Sequence, residues 1–180
     1  MVTARQAIED FYQTERLPSD GGTDDNWVWV RAFGWPVPLP NIQARARLIP
    51  YHDLHHVVTG YRTDEAGEAE VAAWCLGTGG GPLLGQVYDL GAFLIGLVQF
   101  PIRTSVAFYR GRQCRNLYRS PANKWMDWSL ADLRHHTHAG DAPGTLTPTD
   151  RLALARTILT AAILYAGLPA AIAVSFLWWM

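Results

Sequence analysis

The stretch "LIPYHDLHHVVTGYRTDEAGEAEVAAW", residues 48–74, decides how the rest of the chain is read. Pro50 suits the first turn of a helix, where its missing N–H would be unpaired in any residue, and Gly60 supplies a stop. Asp64, Glu65 and Glu68 then place acids at the start of a second helix, where the dipole favours them. A helix-turn-helix pair follows, and three of the chain's six histidines fall inside it.

Outward from this pair the pattern stays mostly helical. Residues 3–16 carry Ala7, Ile8, Phe11 and Tyr12 at helical spacing, and "LPSDGGTDDN" reads as a turn-rich loop. "WVWVRAF", residues 27–33, is a short strand or an extended membrane-contacting segment, and the prolines of "GWPVPLPN" forbid a regular helix after it. Asn41 is placed to cap a helix running to Ile49. Residues 77–85, "GTGGGPLLG", lack the Lys-Ser/Thr ending of a phosphate loop and read as a plain loop. Residues 90–102 are apolar but too short to span a bilayer, which predicts a core or interfacial helix. "KWMDWSLADLRHH" predicts one further helix, with Arg134, His135 and His136 at its end.

With 180 residues, the chain has room for a single domain with a sizeable core. Fifteen basic against sixteen acidic side chains argue against a general nucleic-acid binder, so nucleic acid is not an expected partner. Two cysteines are too few for a disulfide framework or a cysteine-rich zinc ribbon. The first residues mix both charge signs and resemble neither a signal nor a transit peptide.

From Thr157 to Met180 the only ionisable side chain is the Tyr165 phenol. As a helix, that run would reach about 36 Å, against a hydrocarbon core of about 30 Å. Arg151 and Arg156 precede it and Trp178 and Trp179 close it, as the positive-inside rule and the aromatic belt require. The expected organisation is therefore an all-α, helical, lipid-associated domain over residues 1–150 and an apolar membrane segment over 151–180. The body would then lie on the cytoplasmic face of a bacterial inner membrane. A helical hairpin broken at Gly167 and Pro169 is the alternative.

The polar residues of the opening stretch have metal-binding spacing. In a helix, His52 and His56 lie one turn apart on one face and reach a common ion, and Asp53 offers an oxygen from the side. Glu68, one turn into the second helix, can return over them. Two imidazoles and two carboxylates suit zinc, iron, manganese or cobalt. Arg103, Arg110 and Arg112, interleaved with Phe108 and Tyr109, are candidates for an anionic headgroup or phosphate-bearing ligand.

His52-Asp53-x-x-His56, eleven residues, then Glu68 after Gly67, with Gly60 closing the first helix, resembles the metal motif of the fourth Coq protein family of coenzyme Q (ubiquinone) biosynthesis. The resemblance covers about residues 45–75. It implies that His52, Asp53, His56 and Glu68 ligate one divalent ion, usually taken as zinc. It also implies a helical protein working at the membrane on a prenylated quinone precursor or related isoprenoid lipid, alongside other quinone-biosynthesis proteins. Decarboxylation and hydroxylation of the ring are the implied chemistry. Two other readings compete. His52, His55 and His56 also spell the box of membrane di-iron hydroxylases and desaturases, with His135, His136 and His138 as a second cluster. A non-catalytic lipid-binding scaffold, with the ion only tying two helices together, is the third.

Overall fold

The computed structural model describes residues 1–142 and 144–167. Among them the chain is mostly helical, with one two-stranded sheet. Helix α1 (Ala4–Glu15) starts at Thr3, whose side chain and that of Gln6 cap each other's backbone N–H groups, and it buries Ala4, Ala7 and Ile8. After the expected loop, β1 (Trp27–Ala32) and β2 (Trp35–Pro40) form an antiparallel hairpin in which Trp29 faces Pro38. The strand reading of "WVWV" is therefore met, and the proline-rich segment becomes its partner.

Asn41 caps nothing. Its side-chain amide donates to the carbonyls of Gly22, Thr23 and Asp25, so it ties the acidic loop to the hairpin base, and only a short helix α2 (Gln43–Ala46) follows. Helix α3 (Ile49–Thr59) carries Pro50 in its first turn as expected and ends at Gly60, which takes the left-handed conformation at φ 78° that a side chain would strain. Helix α4 (Glu65–Gly77) is capped by Asp64, which accepts from the Gly67 N–H at 2.8 Å.

The body is built on α4. It packs between α3 and the pair α5 (Leu83–Gln99) and α6 (Pro101–Gly111). The α4–α6 approach is close because glycine faces backbone on both sides: a Cβ at Gly77 would meet the Phe108 carbonyl at 2.2 Å, and one at Gly111 the Trp74 carbonyl at 2.2 Å. Leu54, Val71, Trp74, Leu117 and Leu133 fill one core region; Phe93, Ala107 and Phe108 fill another on the α5–α6 side.

The single helix expected across "KWMDWSLADLRHH" is two, α7 (Ala122–Met126) and α8 (Leu130–Thr137). Ser129 breaks it: its backbone is extended, and its hydroxyl accepts from the Asp132 N–H as the N-cap of α8. Leu130 meanwhile donates to the Val2 carbonyl and ties α8 to the start of α1.

Helix α9 (Pro148–Ala162) starts before the boundary expected at residue 150 and packs on α4, α5 and α6, burying Ala161. A π-helical turn, Ile163–Gly167, continues it, and the Tyr165 hydroxyl donates to the Val87 carbonyl of α5. Among the described residues no helix is long and apolar enough to cross a membrane. The expected spanning helix thus has no counterpart there: the first turns of the apolar tail lie against α5, and residues 168–180 lie outside the described residues.

Candidate metal centre

Helical spacing puts His52 and His56 on one face of α3, and the turn at Gly60 returns the chain so that the first turns of α4 lie beside them. Glu68 then stands between the two rings, with Oε2 3.3 Å from His52 Nε2 and Oε1 3.4 Å from His56 Nε2. One ligand atom from each of the three lies within 4.8 Å of the others. Sequence separation of twelve residues is closed by a single turn.

The orientation of His56 is fixed from behind. Its Nδ1 is 3.0 Å from the Tyr61 carbonyl, which can only accept, so the ring proton sits on Nδ1 and the Nε2 lone pair points into the cluster. That Nε2 is buried and has no hydrogen-bond partner, although Glu68 is near. A buried acceptor is rarely left unpaired, and a cation between His52, His56 and Glu68 would satisfy it. The residues present therefore fit a divalent ion. Burial works against a charge on His52, but Glu68 and Asp53 outweigh it and hold its pKa well above the usual imidazole range. Burial likewise opposes the Glu68 carboxylate, yet His56 and His52 pull its pKa well below the ordinary range. Without an ion, a proton on His52 compensates the carboxylate, and a cation would take over that role.

Asp53, expected as a fourth ligand, does not converge with the other three. Its Oδ1 lies 3.5 Å from His52 Nδ1, on the side of the ring turned away from Glu68, and its Oδ2 accepts a 2.6 Å hydrogen bond from the Tyr12 hydroxyl. It stands behind His52 as an orienting carboxylate, itself held by α1. Phe11 of the same helix stacks on the His56 ring at 5.5 Å. A groove of about 360 Å³ lies alongside, lined by Phe11, His56, Val57, Gly60 and Tyr61 among others.

His55 faces the opposite way. Its Nε2 accepts from the Leu117 N–H at 3.1 Å, so the neutral ring carries its proton on Nδ1, 3.4 Å from Cys75 Sγ. Both nitrogens are used in the core, and burial, with the charges of His52 and His56, pushes its pKa down to about 3. The histidines of α8 are apart from all this: His136 packs on Trp125 and Trp128, and His138 Nδ1 meets Asp141 at 3.0 Å. Among the described residues no second set of three ligand side chains converges. The two-cluster di-iron pattern has no geometric support.

The three arginines singled out for an anionic ligand are engaged within the protein. Arg103 makes a two-pronged pair with Glu70, Arg112 pairs with Asp150 at 3.1 Å, and Arg110 donates to the Thr59 and Ala139 carbonyls while covering the Tyr61 ring. They hold α6 to α4, α9 and the α3 terminus. No family model, no curated protein and no solved structure matches the chain.

Sequence reasoning missed Tyr12, the Tyr61 carbonyl and Asp89. Asp89 of α5 is buried with Oδ2 unpartnered. Burial raises its pKa to about 7, with Glu68 adding to the rise and His52 opposing it. No spacing rule connects residues 12 or 89 to residue 52. Only the packing of α1 and α5 around α3 and α4 does.

Proposed function

We propose that this chain is a metal-dependent protein of the ubiquinone-biosynthesis type, holding one divalent ion, zinc by first choice, on His52, His56 and Glu68. Its substrate would be a prenylated quinone precursor or a related isoprenoid lipid, taken at a membrane surface. The observation that carries the reading is the buried, unpartnered Nε2 of His56, aimed at Glu68 and His52 and fixed by the Tyr61 carbonyl. Three protein ligands leave a coordination position open, which favours catalysis over a purely structural ion.

The bound ion would supply Lewis-acid polarisation of a carboxylate or phenolate oxygen on the substrate ring. The chain does the rest. Asp53, held by Tyr12, keeps the His52 ring in place, and Phe11 with Val57 gives the groove beside His56 an apolar wall suited to an aromatic ring. In the decarboxylation proposed here the bond from the ring carbon to its carboxyl breaks, CO2 leaves, and a proton takes its place. Asp89, whose carboxyl pKa burial raises to about 7, gains and loses a proton near neutrality and is close enough to feel His52 and Glu68, so it can serve as the proton source.

The test is elemental mass spectrometry on purified wild type, His52→Ala, His56→Ala and Glu68→Ala, together with CO2 release from a prenylated 4-hydroxybenzoate. One ion per wild-type chain, lost in the variants along with CO2 release, is the expected result. An ion without turnover would leave a lipid-binding scaffold, and no ion in wild type would overturn the reading.

A further inference from the structure

The β1–β2 hairpin exposes aromatic surface that the fold does not use. Trp27, Trp29 and Trp35 are 57%, 68% and 75% exposed, and Phe33 at the tip is 54% exposed. The register puts Trp27, Trp29 and Arg31 on one face, opposite Pro40, Pro38 and Pro36. Trp35, Val30 and Val37 lie on the other face. Both faces of the ribbon are thus apolar and open, in contrast to a hairpin that rests one face on a core.

Three features say what covers it. The tip is a two-residue turn in which both Phe33 (φ 54°) and Gly34 (φ 79°) take positive φ, a geometry that normally selects Asn-Gly. A bulky aromatic held in that strained position points to a use for the ring at the apex. The prolines at 36, 38 and 40 cannot donate to the β1 ladder, so their nitrogens lie on the outer edge, which offers no N–H there. Such an edge resists pairing with another strand, and leaves fewer donors unsatisfied when it enters an apolar medium. Charge is the third. Within the hairpin, residues 27–40, Arg31 is the only charged side chain and shares the face of Trp27 and Trp29, while the exposed carboxylates of Asp24 and Asp25 precede its base. Glu65, the acid nearest the tip, is engaged by the Gly34 N–H at 2.8 Å.

We propose that this hairpin is a membrane-docking element, inserting its tryptophans and Phe33 into the interfacial zone of an anionic bilayer while Arg31 meets the headgroups. Tryptophan is the side chain most at home in that zone, apolar in body and polar at one end, and arginine beside it fits negative lipids. The link to the metal centre is short. Through Gly34 and Glu65 the tip is fastened to the first turn of α4, one turn before Glu68. The inference deepens the reading of a lipid substrate and rests on it only for what the docked surface would deliver.

The test is co-sedimentation of the full chain with vesicles of phosphatidylcholine alone or with phosphatidylglycerol, alongside metal content. Wild type should bind the anionic vesicles more tightly than the neutral ones. The double variant Trp29→Ser/Trp35→Ser should lower the partition coefficient by about tenfold or more, with metal content and melting temperature unchanged because both side chains are exposed. Arg31→Glu should abolish the preference for phosphatidylglycerol. Undiminished binding by the double variant, as would follow if the apolar tail carries the contact, overturns the proposal. So does failure of wild type to bind, or dimerisation in sedimentation that the double variant abolishes without any vesicle binding, which would assign the surface to a second copy. Vesicle binding and metal content fail independently.

Discussion

At the residue scale, the pair His55 and His56 differ in what their ring nitrogens meet, and that difference separates structure from chemistry. His56 keeps a free Nε2, whereas His55 spends both nitrogens on Leu117 and Cys75. Because the folded pKa of His55 lies near 3, below its unfolded value of 6.5, the unfolded state binds the extra proton between those values. Its contribution is complete above pH 6.5 and is lost as pH falls toward 3, at up to about 1.4 kcal/mol per unit. His55→Gln, which still accepts from Leu117, should flatten the acid limb of stability against pH in urea titrations. Asp53 and Tyr12 act behind His52. Asp53→Asn should weaken metal affinity by about 10–100-fold without abolishing it, and Tyr12→Phe should do so more mildly, read by competition with a chromogenic chelator. Loss of the ion as complete as in Glu68→Ala would make Asp53 a ligand instead. The spacing of His52, His56 and Glu68 was legible in the chain; the demotion of Asp53 was not, because the partner that turns it away lies 41 residues earlier.

At the scale of elements, α3, its glycine stop and the start of α4 near Asp64 follow from local rules, and all three stand where the sequence puts them. Elsewhere local rules were overridden by long-range hydrogen bonds. Asn41 serves three loop carbonyls instead of a helix end, and Leu130 donates to Val2 where one continuous helix was expected. The close α4–α6 contact depends on residues with no pattern signal. Gly111→Ala would set a Cβ 2.2 Å from the Trp74 carbonyl, and the shift needed should cost about 1–3 kcal/mol as overpacking. Denaturant unfolding checks it, and an unchanged midpoint would mean that α4 and α6 part without loss. Since α4 also carries Glu68, the same substitution should loosen metal binding.

For the molecule as a whole, the metal centre ties α3 to α4 at the point where α1 and α5 converge on them, so ion binding and global stability should be linked. An ion at 100 times its Kd should add about 2.7 kcal/mol to unfolding, a rise of about 5–10 °C in Tm that a chelator reverses. Glu68→Ala should show no such rise, whereas an equal rise in that variant would place the ion elsewhere. By itself the sequence determined the mostly helical class, the helix-turn-helix frame and three converging side chains, because these depend on contacts within a few turns of chain. Only the tertiary structure decided that His55 belongs to the core, that Asp53 stands behind the site, and that Arg103, Arg110 and Arg112 bind the protein's own groups. It also laid the start of the apolar tail along α5. Each of those outcomes depends on which distant segment meets a side chain, and hydropathy and spacing carry no record of that.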